Sequence, residues 1–321
     1  MISAVYAAVV RRRRERYARR PDLRRRLRRP VISVGNLAVG GRGKTPMVAA
    51  IARELLAMGE RPSILTRGYA RTLAEDGVIV VRDPDGMRAD LARAGDEPLM
   101  LARSLPGSSV LVSSDRYLAG RLAEHQFNPS VHILDDGFQH LQLDRDVDIV
   151  MLGHDDVAHP VTLPGGRLRE PLDTLIAADA IVAADDHVVI DAAGWEVPVF
   201  RTRRVLTNPC PGVAAAAFAG IADPSRFFDD LRALGTTLVG TLAFSDHHPY
   251  SRRDLDRIGA EARAAGAVVA LTTEKDYVRL LPFRPFAIPI ASVALTIEPD
   301  PLPEFRQFLA GSLRAARDIV G

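Results

Sequence analysis

Gly43, Lys44 and Thr45 stand between a short apolar run, residues 31–34, and an amphipathic segment, residues 47–58. The β-branched run predicts a buried strand, and apolar residues at helical spacing predict that a helix follows. In such a turn the backbone N–H groups and the positive end of the helix bind phosphate oxygens. Lys44 would reach the β- and γ-phosphates of a nucleotide, and the Thr45 hydroxyl would ligate Mg²⁺. The sequence therefore predicts a phosphate-binding loop.

The spacing of this loop departs from the usual pattern at one position. The pattern G-x-x-x-x-G-K-[ST] would have a glycine where this chain has Ala38. Additional glycines in the loop compensate by keeping the turn flexible. The predicted nucleotide-binding residues are Gly40, Gly41, Arg42, Gly43, Lys44 and Thr45. The alternative, a glycine-rich turn with an incidental lysine, is disfavoured by the flanking strand and helix.

Two adjacent acids, Asp135 and Asp136, end the apolar run of residues 131–134. A carboxylate at a strand end opposite a phosphate-binding loop holds Mg²⁺, directly or through water. Successive side chains of a strand point to opposite faces, so we expect only one of the two acids to reach the metal. The residues alone leave open which one, and a structural turn before Gly137 is the alternative interpretation.

Asp96 and Glu97 stand in a loop at the start of a predicted helix. A carboxylate near the γ-phosphate can accept the proton of an attacking hydroxyl group. The alternative is that Asp96 is a helix N-cap with Glu97 in the first turn, and the residues alone favour this cap.

Residues 245–250, which include Asp246, His247 and His248, form the densest polar cluster of the predicted second domain. Adjacent histidines point apart in an extended chain, which disfavours joint binding of one metal ion. One histidine acting with a carboxylate from a facing domain is the more economical interpretation. A structural loop rich in turn-forming residues is the alternative.

Four arginines in or beside loops that follow predicted strands could neutralise charge on a transferring phosphoryl group. They are Arg67, Arg116, Arg167 and Arg169, and the last two share a glycine-containing loop. Taken singly, each is more simply interpreted as a surface arginine.

Apolar runs that alternate with helical patterns must position these residues. This alternation predicts a mostly parallel α/β sheet of the P-loop NTPase type, with ligands beyond the carboxyl ends of the strands. The predicted strands of the first part are residues 31–34, 62–65, 78–81, 109–112, 131–134, 147–152 and 180–183, with helices over 97–103 and 116–124.

A proline-containing break near residues 194–211 precedes a second α/β pattern. Predicted strands there are residues 214–221, 238–244 and 268–272, with helices over 224–234 and 252–265. Residues 197–205 and 288–297 are predicted to pair as a β-ribbon that acts as a hinge. The predicted units are a basic arm over 1–30, a nucleotide-binding domain over 31–200, and a smaller α/β domain over 201–321 that closes over the site.

The 321-residue chain is 47% hydrophobic and 26% charged, an ordinary globular composition. Cys210 is its only cysteine, which excludes an intramolecular disulfide and a cysteine-based metal site and favours a reducing, cytoplasmic location. Charge is unevenly distributed, because twelve arginines and two acids give residues 1–30 a net charge of +10 and leave −8 on the remainder.

The basic arm follows a short apolar segment, residues 1–10, that is too short to span a bilayer. Apolar residues before an arginine cluster suit a helix lying on an anionic membrane surface. Nucleic acid is disfavoured as the partner because few aromatic residues are interleaved with the arginines. A solvated charged helix is the remaining alternative, and nothing in the sequence indicates an obligate protein partner.

These motifs, in this order over residues 31 to 276, resemble the tetraacyldisaccharide 4′-kinases, the lipid A 4′-kinases of Gram-negative bacteria. The most specific is the string Asp135-Asp136-Gly137-Phe138-Gln139-His140. The other matching segments are residues 35–36, 40–46, 66–69, 95–98, 163–171 and 246–248 with Tyr250. Arg42 stands where many members of the family carry a small residue.

The resemblance implies ATP and Mg²⁺, and transfer of the γ-phosphoryl group to the 4′-hydroxyl of an acylated glucosamine disaccharide 1-phosphate. It also implies attachment at the cytoplasmic face of the bacterial inner membrane. The implied roles are Asp96 as base paired with His247, Lys44 and Thr45 at the phosphates and metal, and Arg169 with Glu170 at the nucleotide. Asp135 or Asp136 would serve the metal.

Two other classes of function fit the same residues. A P-loop ATPase could act as a membrane-associated conformational switch that consumes ATP without a phosphoryl acceptor. A non-catalytic protein that binds membranes or nucleic acid through the basic arm is the second, and loss of all ATP binding would favour it.

Overall fold

The computed structural model describes residues 2–40, 43–68, 77–184, 188, 197–246 and 248–320. The helices of this part of the chain are α1 (Ile2–Arg19), α2 (Lys44–Ala57), α3 (Leu91–Ala94), α4 (Asp96–Ser104), α5 (Arg116–Gln126), α6 (His154–Ala158), α7 (Pro224–Ala233), α8 (Arg252–Ala264), α9 (Glu274–Leu280) and α10 (Leu302–Val320). The strands are β1 (Val31–Asn36), β2 (Pro62–Thr66), β3 (Ile79–Asp83), β4 (Gly86–Met87), β5 (Ser109–Val112), β6 (Val131–Asp135), β7 (Val147–Leu152), β8 (Ala180–Ala183), β9 (Val199–Thr207), β10 (Ala214–Ala219), β11 (Thr237–Ala243), β12 (Val269–Thr273) and β13 (Ile290–Asp300).

The thirteen strands of the described residues form one sheet, in the order β11-β10-β12-β13-β9-β8-β7-β1-β6-β2-β5-β3-β4. Most neighbours are parallel, and only β3 with β4 and β5, and β9 with β13, pair in the antiparallel sense. The predicted fold class, a mostly parallel α/β sheet of the P-loop NTPase type, is therefore confirmed. Every predicted strand is present, with its ends displaced by three residues at most.

A ribbon of β9 and β13 joins two parts of the sheet, as the sequence predicts. We call β1–β8 with their helices the first lobe, and β10–β12 with α7–α9 the second lobe. Strand β9 pairs with β8 of the first lobe, and β13 pairs with β12 of the second. The domain boundaries and the hinge motion remain predictions.

Helix α10 belongs to the predicted second unit by sequence but packs on the first lobe. Its buried Phe305, Leu309 and Leu313 join Ile51 and Leu55 of α2 in one apolar core. Arg317 also pairs with Glu60 at 2.7 Å, beyond the end of α2. The apolar stripe of α10 completes a core that α2 and the ribbon leave open, and this is why the chain returns to the first lobe.

Helix α1 lies against the first lobe and holds six of the twelve arginines of the arm. Ser3 contacts the loop between α6 and β8, where the Thr162 hydroxyl donates to its carbonyl oxygen at 2.9 Å. Arg11 pairs with Asp173 farther along the same connection at 2.7 Å. Among the described residues, no helix combines the length and apolarity needed to cross a membrane.

The order β7-β1-β6-β2 places the strand before the glycine-rich loop in the middle of the first lobe. Strand β1 is parallel to both neighbours, and Val34 of β1 is in register with Asp135 of β6. The carboxyl ends of these strands therefore meet at one edge of the sheet, where open α/β sheets bind ligands.

Candidate active site

The turn between β1 and α2 has the geometry of an anion-binding loop. Gly40 and Gly43 have φ values of +103° and +76°, a region that favours glycine. No side chain caps the first turn of α2, so its N–H groups can bind an anion. Ala38 forms a β-bridge with Leu168, extended backbone that alanine adopts freely, which explains why this position needs no glycine. The predicted Gly41 and Arg42 lie outside the described residues.

Lys44 is surrounded by oxygen atoms at the start of α2. Its Nζ lies 3.1 Å from Asn36 Oδ1, 3.4 Å from the Gly40 carbonyl oxygen and 3.6 Å from Asp136 Oδ1. Asn36, which the sequence did not single out as chemistry, ends β1 and is fully buried. A polar residue at the end of a mostly apolar strand is the signal that could have identified it.

Two cavities meet at Lys44 and Thr45. The first, of about 640 Å³, is lined by charged and polar residues: Arg67, Glu97, Arg116, Asp135, Asp136, Gln139, His140 and Arg169. The second, of about 560 Å³, lies between the lobes and has largely apolar walls that include Met100, Leu206, Phe227, Val293 and Leu295. We call them the polar cavity and the inter-lobe cavity. Glu97 lines both.

Asp135 is a buried carboxylate at the end of β6. Its Oδ2 accepts a hydrogen bond from the neutral Thr66 hydroxyl at 3.2 Å. Burial, and then the nearby charges of Glu97 and Asp136, raise the pKa of Asp135 to about 6. A cation beside this carboxylate would relieve both effects, and carboxylate and hydroxyl oxygens are ligands that Mg²⁺ prefers. The donor set of Asp135 and Thr45 therefore fits Mg²⁺.

Asp136 has a different environment from its neighbour. Arg169 binds it through two hydrogen bonds, of 2.9 and 2.8 Å, and Lys44 lies nearby. Burial opposes its ionisation, but these hydrogen bonds and the charge of Lys44 prevail and lower the pKa of Asp136. Of the two acids that the sequence could not separate, Asp136 is already neutralised by protein cations. Asp135 is therefore the better candidate for a direct metal ligand.

The loop that holds Arg169 is attached to the start of the phosphate-binding loop by backbone hydrogen bonds. The Arg169 N–H donates to the Leu37 carbonyl oxygen at 2.5 Å, and the Val39 N–H donates to the Arg167 carbonyl oxygen at 2.8 Å. These bonds fix where the Arg169 side chain leaves the backbone. Arg169 thus lines the polar cavity, and its catalytic role remains a prediction.

Glu170 lies apart from the other predicted nucleotide-binding residues. It is 1% exposed and, in the part of the chain that the structure describes, lines neither cavity. Its carboxylate accepts from Arg14 of α1 at 2.5 Å. The structure thus differs from the expected position, because the side chain following Arg169 points away from the cavity toward α1.

Asp96 begins α4 but faces the second lobe. Its carboxylate pairs with Arg279 of α9, whose Nε lies 3.1 Å from Asp96 Oδ2. Its other oxygen accepts from the Glu97 N–H at 3.0 Å. Asp96 is not among the described residues lining either cavity, whereas Glu97 lines both. The predicted base is therefore paired with Arg279 of the second lobe and is not exposed to either cavity.

The predicted partner of Asp96, His247, lies outside the described residues. Its neighbour His248 packs inside the second lobe, with its ring 4.7 Å from the Phe244 ring and 5.1 Å from the Tyr250 ring. The His248 Nε2 atom lies 3.2 Å from Asp254 Oδ2. The described contacts of His248 thus lie within its own lobe.

His140 of the polar cavity predicts a pH dependence of stability. Burial, and then the charges of Arg116 and Arg145, lower the pKa of His140 to about 4. The unfolded chain takes up this proton near pH 6.5 and the folded protein only near pH 4, so stability is lost as the pH falls through this window. We expect His140→Gln to reduce the drop in Tm of the ligand-free protein between pH 7.5 and pH 5.0, measured by differential scanning fluorimetry. An equal drop in both proteins would contradict a half-buried His140 that is neutral in the folded protein.

A parallel sheet that ends in a glycine turn, a lysine and strand-end carboxylates defines a P-loop nucleotide-binding protein, and the charges around the polar cavity suit phosphoryl transfer. Residues 1–314 match the family described as tetraacyldisaccharide-1-P 4′-kinase. The chain belongs to this family.

Individual relatives agree over nearly the whole chain. A tetraacyldisaccharide 4′-kinase of Geobacter metallireducens is 42% identical over 300 residues, which cover 88% of each chain. One of Nitrobacter winogradskyi is 39% identical over 334 aligned residues, covering 99% of this chain and 94% of the relative. The crystal structure of LpxK from Aquifex aeolicus in complex with ATP superposes with a TM-score of 0.81 at 30% identity, covering 97% of both chains.

Proposed function

We propose that this protein is an ATP-dependent lipid kinase that phosphorylates the 4′-hydroxyl of a tetraacyl glucosamine disaccharide 1-phosphate in lipid A biosynthesis. One observation carries the proposal within this family. Lys44, Thr45, Asp135 and Arg169 surround a single polar cavity, which also contains further arginines suited to anionic groups. A switch ATPase needs the phosphate-binding loop but no such additional space for an acceptor.

Different residues of the chain have different roles in transfer of the γ-phosphoryl group. Lys44 exchanges its contacts with Asn36 and Gly40 for phosphate oxygens, and Arg169 neutralises charge on the transferring group. Thr45 and Asp135 would hold Mg²⁺, which would offset the negative charge of the phosphates. The 4′-oxygen forms a bond to the γ-phosphorus as the bridging bond to ADP breaks, and Asp96 takes the hydroxyl proton.

The two cavities suit the two substrates. The inter-lobe cavity has apolar walls and both lobes around it, which suits the flat, weakly polar base of a nucleotide. The polar cavity would then receive the γ-phosphoryl group and the sugar hydroxyl. Approach of the second lobe would bring His247 toward Asp96 and exclude water, which limits hydrolysis of ATP.

An exposed apolar surface on α1 supports attachment to a membrane. Ile2, Val5 and Val9 recur on one face of the helix and are 71%, 61% and 63% exposed. The connection that contacts α1 adds Val161 and Ile176, which are 46% and 87% exposed. Apolar side chains next to an arginine-rich segment fit an anionic leaflet. We therefore place the protein at the cytoplasmic face of the bacterial inner membrane.

The double variant Val5→Asp/Val9→Asp tests this surface without removing α1. Both side chains are largely exposed, so we expect the fold to be retained. Placing two acids where the helix meets anionic lipid should weaken binding to vesicles containing phosphatidylglycerol by about tenfold or more, measured by co-sedimentation. Leu118→Asp, an exposed apolar residue on α5, is the control. Equal binding of Val5→Asp/Val9→Asp and wild type would contradict the membrane surface.

Transfer of label from γ-³²P-ATP tests the function directly. The assay contains Mg²⁺ and a tetraacylated disaccharide 1-phosphate in detergent micelles. A labelled lipid product is expected. Hydrolysis of ATP at the same rate with and without lipid, and without labelled lipid, would instead support the conformational-switch ATPase.

A further inference from the structure

Arg14 connects the N-terminal helix to the loops of the active site. Its Nε donates to Glu170 Oε2 at 2.5 Å, and its Nη2 donates to the Phe138 carbonyl oxygen at 3.1 Å. The guanidinium carbon also lies 4.0 Å from the centroid of the Phe138 ring. The Arg14 and Glu170 side chains are only 13% and 2% exposed, so this ion pair is shielded from water.

Both partners of Arg14 stand next to active-site residues. Glu170 directly follows Arg169, and Phe138 comes two residues after Asp136. Arg169 and Asp136 are joined by their own bidentate pair at the polar cavity. Helix α1 makes one further contact here, since the Tyr6 hydroxyl donates to the Arg169 carbonyl oxygen at 3.2 Å. Helix α1 therefore donates hydrogen bonds to backbone carbonyl groups at Arg169 and at Phe138, close to both members of the Arg169–Asp136 pair.

We propose that Arg14 is a positioning residue for phosphoryl transfer. Through its contacts with Glu170 and Phe138, Arg14 holds Arg169 and Asp136 at the phosphate-binding loop. Helix α1 is then part of the catalytic scaffold as well as the membrane surface. The inference rests on the proposed function for the reaction that it serves, but the contacts of Arg14 do not depend on the identity of the acceptor.

Loss of Arg14 would leave a buried carboxylate without its cation. Burial raises the pKa of Glu170, and the charge of Arg14 opposes this rise. Without Arg14, Glu170 must either bind a proton or move toward water, because an unpaired buried charge is strongly unfavourable. Movement of Glu170 would displace the adjacent Arg169 from the phosphoryl group, and small misplacements of this kind greatly reduce rates.

The first test compares Arg14→Ala with Arg12→Ala, which removes the same charge from the exposed side of the same helix. In detergent micelles we expect kcat of Arg14→Ala to fall about tenfold further than that of Arg12→Ala. Arg14→Lys, which keeps the charge, should recover part of the loss. Arg257→Ala, which breaks an exposed ion pair on α8, should keep the wild-type kcat. Equal kcat values for Arg14→Ala and Arg12→Ala would overturn the proposal.

A second variant is needed because the unpaired Glu170 carboxylate could by itself lower the activity of Arg14→Ala. Glu170→Gln removes that charge, so Arg14→Ala/Glu170→Gln should be more active than Arg14→Ala, the non-additivity expected of residues in contact. If Glu170 instead acts on the nucleotide, the double variant will be no more active than Arg14→Ala, and the proposal fails.

A readout without lipid separates this inference from the proposed function. The rise in Tm that ATP and Mg²⁺ cause should be smaller in Arg14→Ala than in Arg12→Ala, since Arg169 and Asp136 line the polar cavity together with Lys44. Wild type that binds ATP but labels no lipid would overturn the proposed function and leave this comparison intact. Equal rises in Tm of the two variants on addition of ATP and Mg²⁺ would overturn the proposed positioning role of Arg14.

Discussion

Replacing Lys44 with alanine is expected to lower kcat for phosphoryl transfer by about 10³-fold, the size of effect seen when one preorganised donor to a developing charge is removed. The Nζ atom lies within 3.6 Å of Asn36, Gly40 and Asp136, at the junction of the two cavities. The attraction between the Lys44 ammonium and the leaving phosphate increases as negative charge develops there. Loss of Lys44 therefore destabilises the transition state more than the bound substrate.

The fold should survive this change because Asp136 keeps its two hydrogen bonds from Arg169. Lys275→Ala is a matched control, since Lys275 is the only other lysine of the chain. It lines the inter-lobe cavity, so we expect an effect on KM for ATP rather than on kcat. Initial rates of label transfer to lipid measure both. Wild-type kcat in Lys44→Ala would exclude this loop as the phosphate site.

Replacing Asp96 with asparagine is expected to lower kcat by about 10² or more while ATP binding persists, as for loss of a general base. Asparagine keeps the size of the side chain but cannot accept the hydroxyl proton. Arg279 retains other acceptors in the variant, because Asp276 Oδ1 and the Gly220 carbonyl oxygen each lie 3.5 Å from its Nη1. The variant should therefore fold, and a loss of activity would report on chemistry.

Glu97→Gln is the informative comparison for Asp96. Glu97 lines both cavities, whereas Asp96 pairs with Arg279. If Asp96 is the base, it must leave Arg279 when the lobes move, and Asp96→Asn should be more damaging than Glu97→Gln. The reverse order, with near-normal turnover of Asp96→Asn, would transfer the role of base to Glu97. Single-turnover rates at saturating ATP distinguish the two results.

The sequence predicts the sheet well because its signals are local. Short β-branched runs such as residues 109–112 and 147–152 are buried on both faces, and a parallel sheet with helices on both sides requires this pattern. The phosphate-binding loop is also local, since the glycines, Lys44 and the following helix are consecutive. Parallel pairing of β1 with β6 then brings Asp135 to the same edge.

The features that the sequence did not reveal are contacts between distant residues. The pair of Arg14 with Glu170 spans 156 positions, and the pair of Asp96 with Arg279 spans 183. No periodicity indicates which of twelve arginines in residues 1–30 will meet a buried glutamate. The same limit applies to α10, whose apolar stripe is visible but whose partner, α2, lies at the other end of the chain.

The continuous sheet couples the unfolding of the two lobes. Strands β9 and β13 are in register over seven residue pairs, and each is also bonded to a strand of one lobe. Unfolding of either lobe alone would expose one edge of the ribbon, which loses its four residue pairs with β12 or its three with β8. Amide hydrogen exchange should therefore show the ribbon opening only in global unfolding, and thermal melting should be a single transition rather than two. The predicted closure of the lobes would then require the shared sheet to change its twist, and we expect a substitution that stiffens the ribbon to slow turnover.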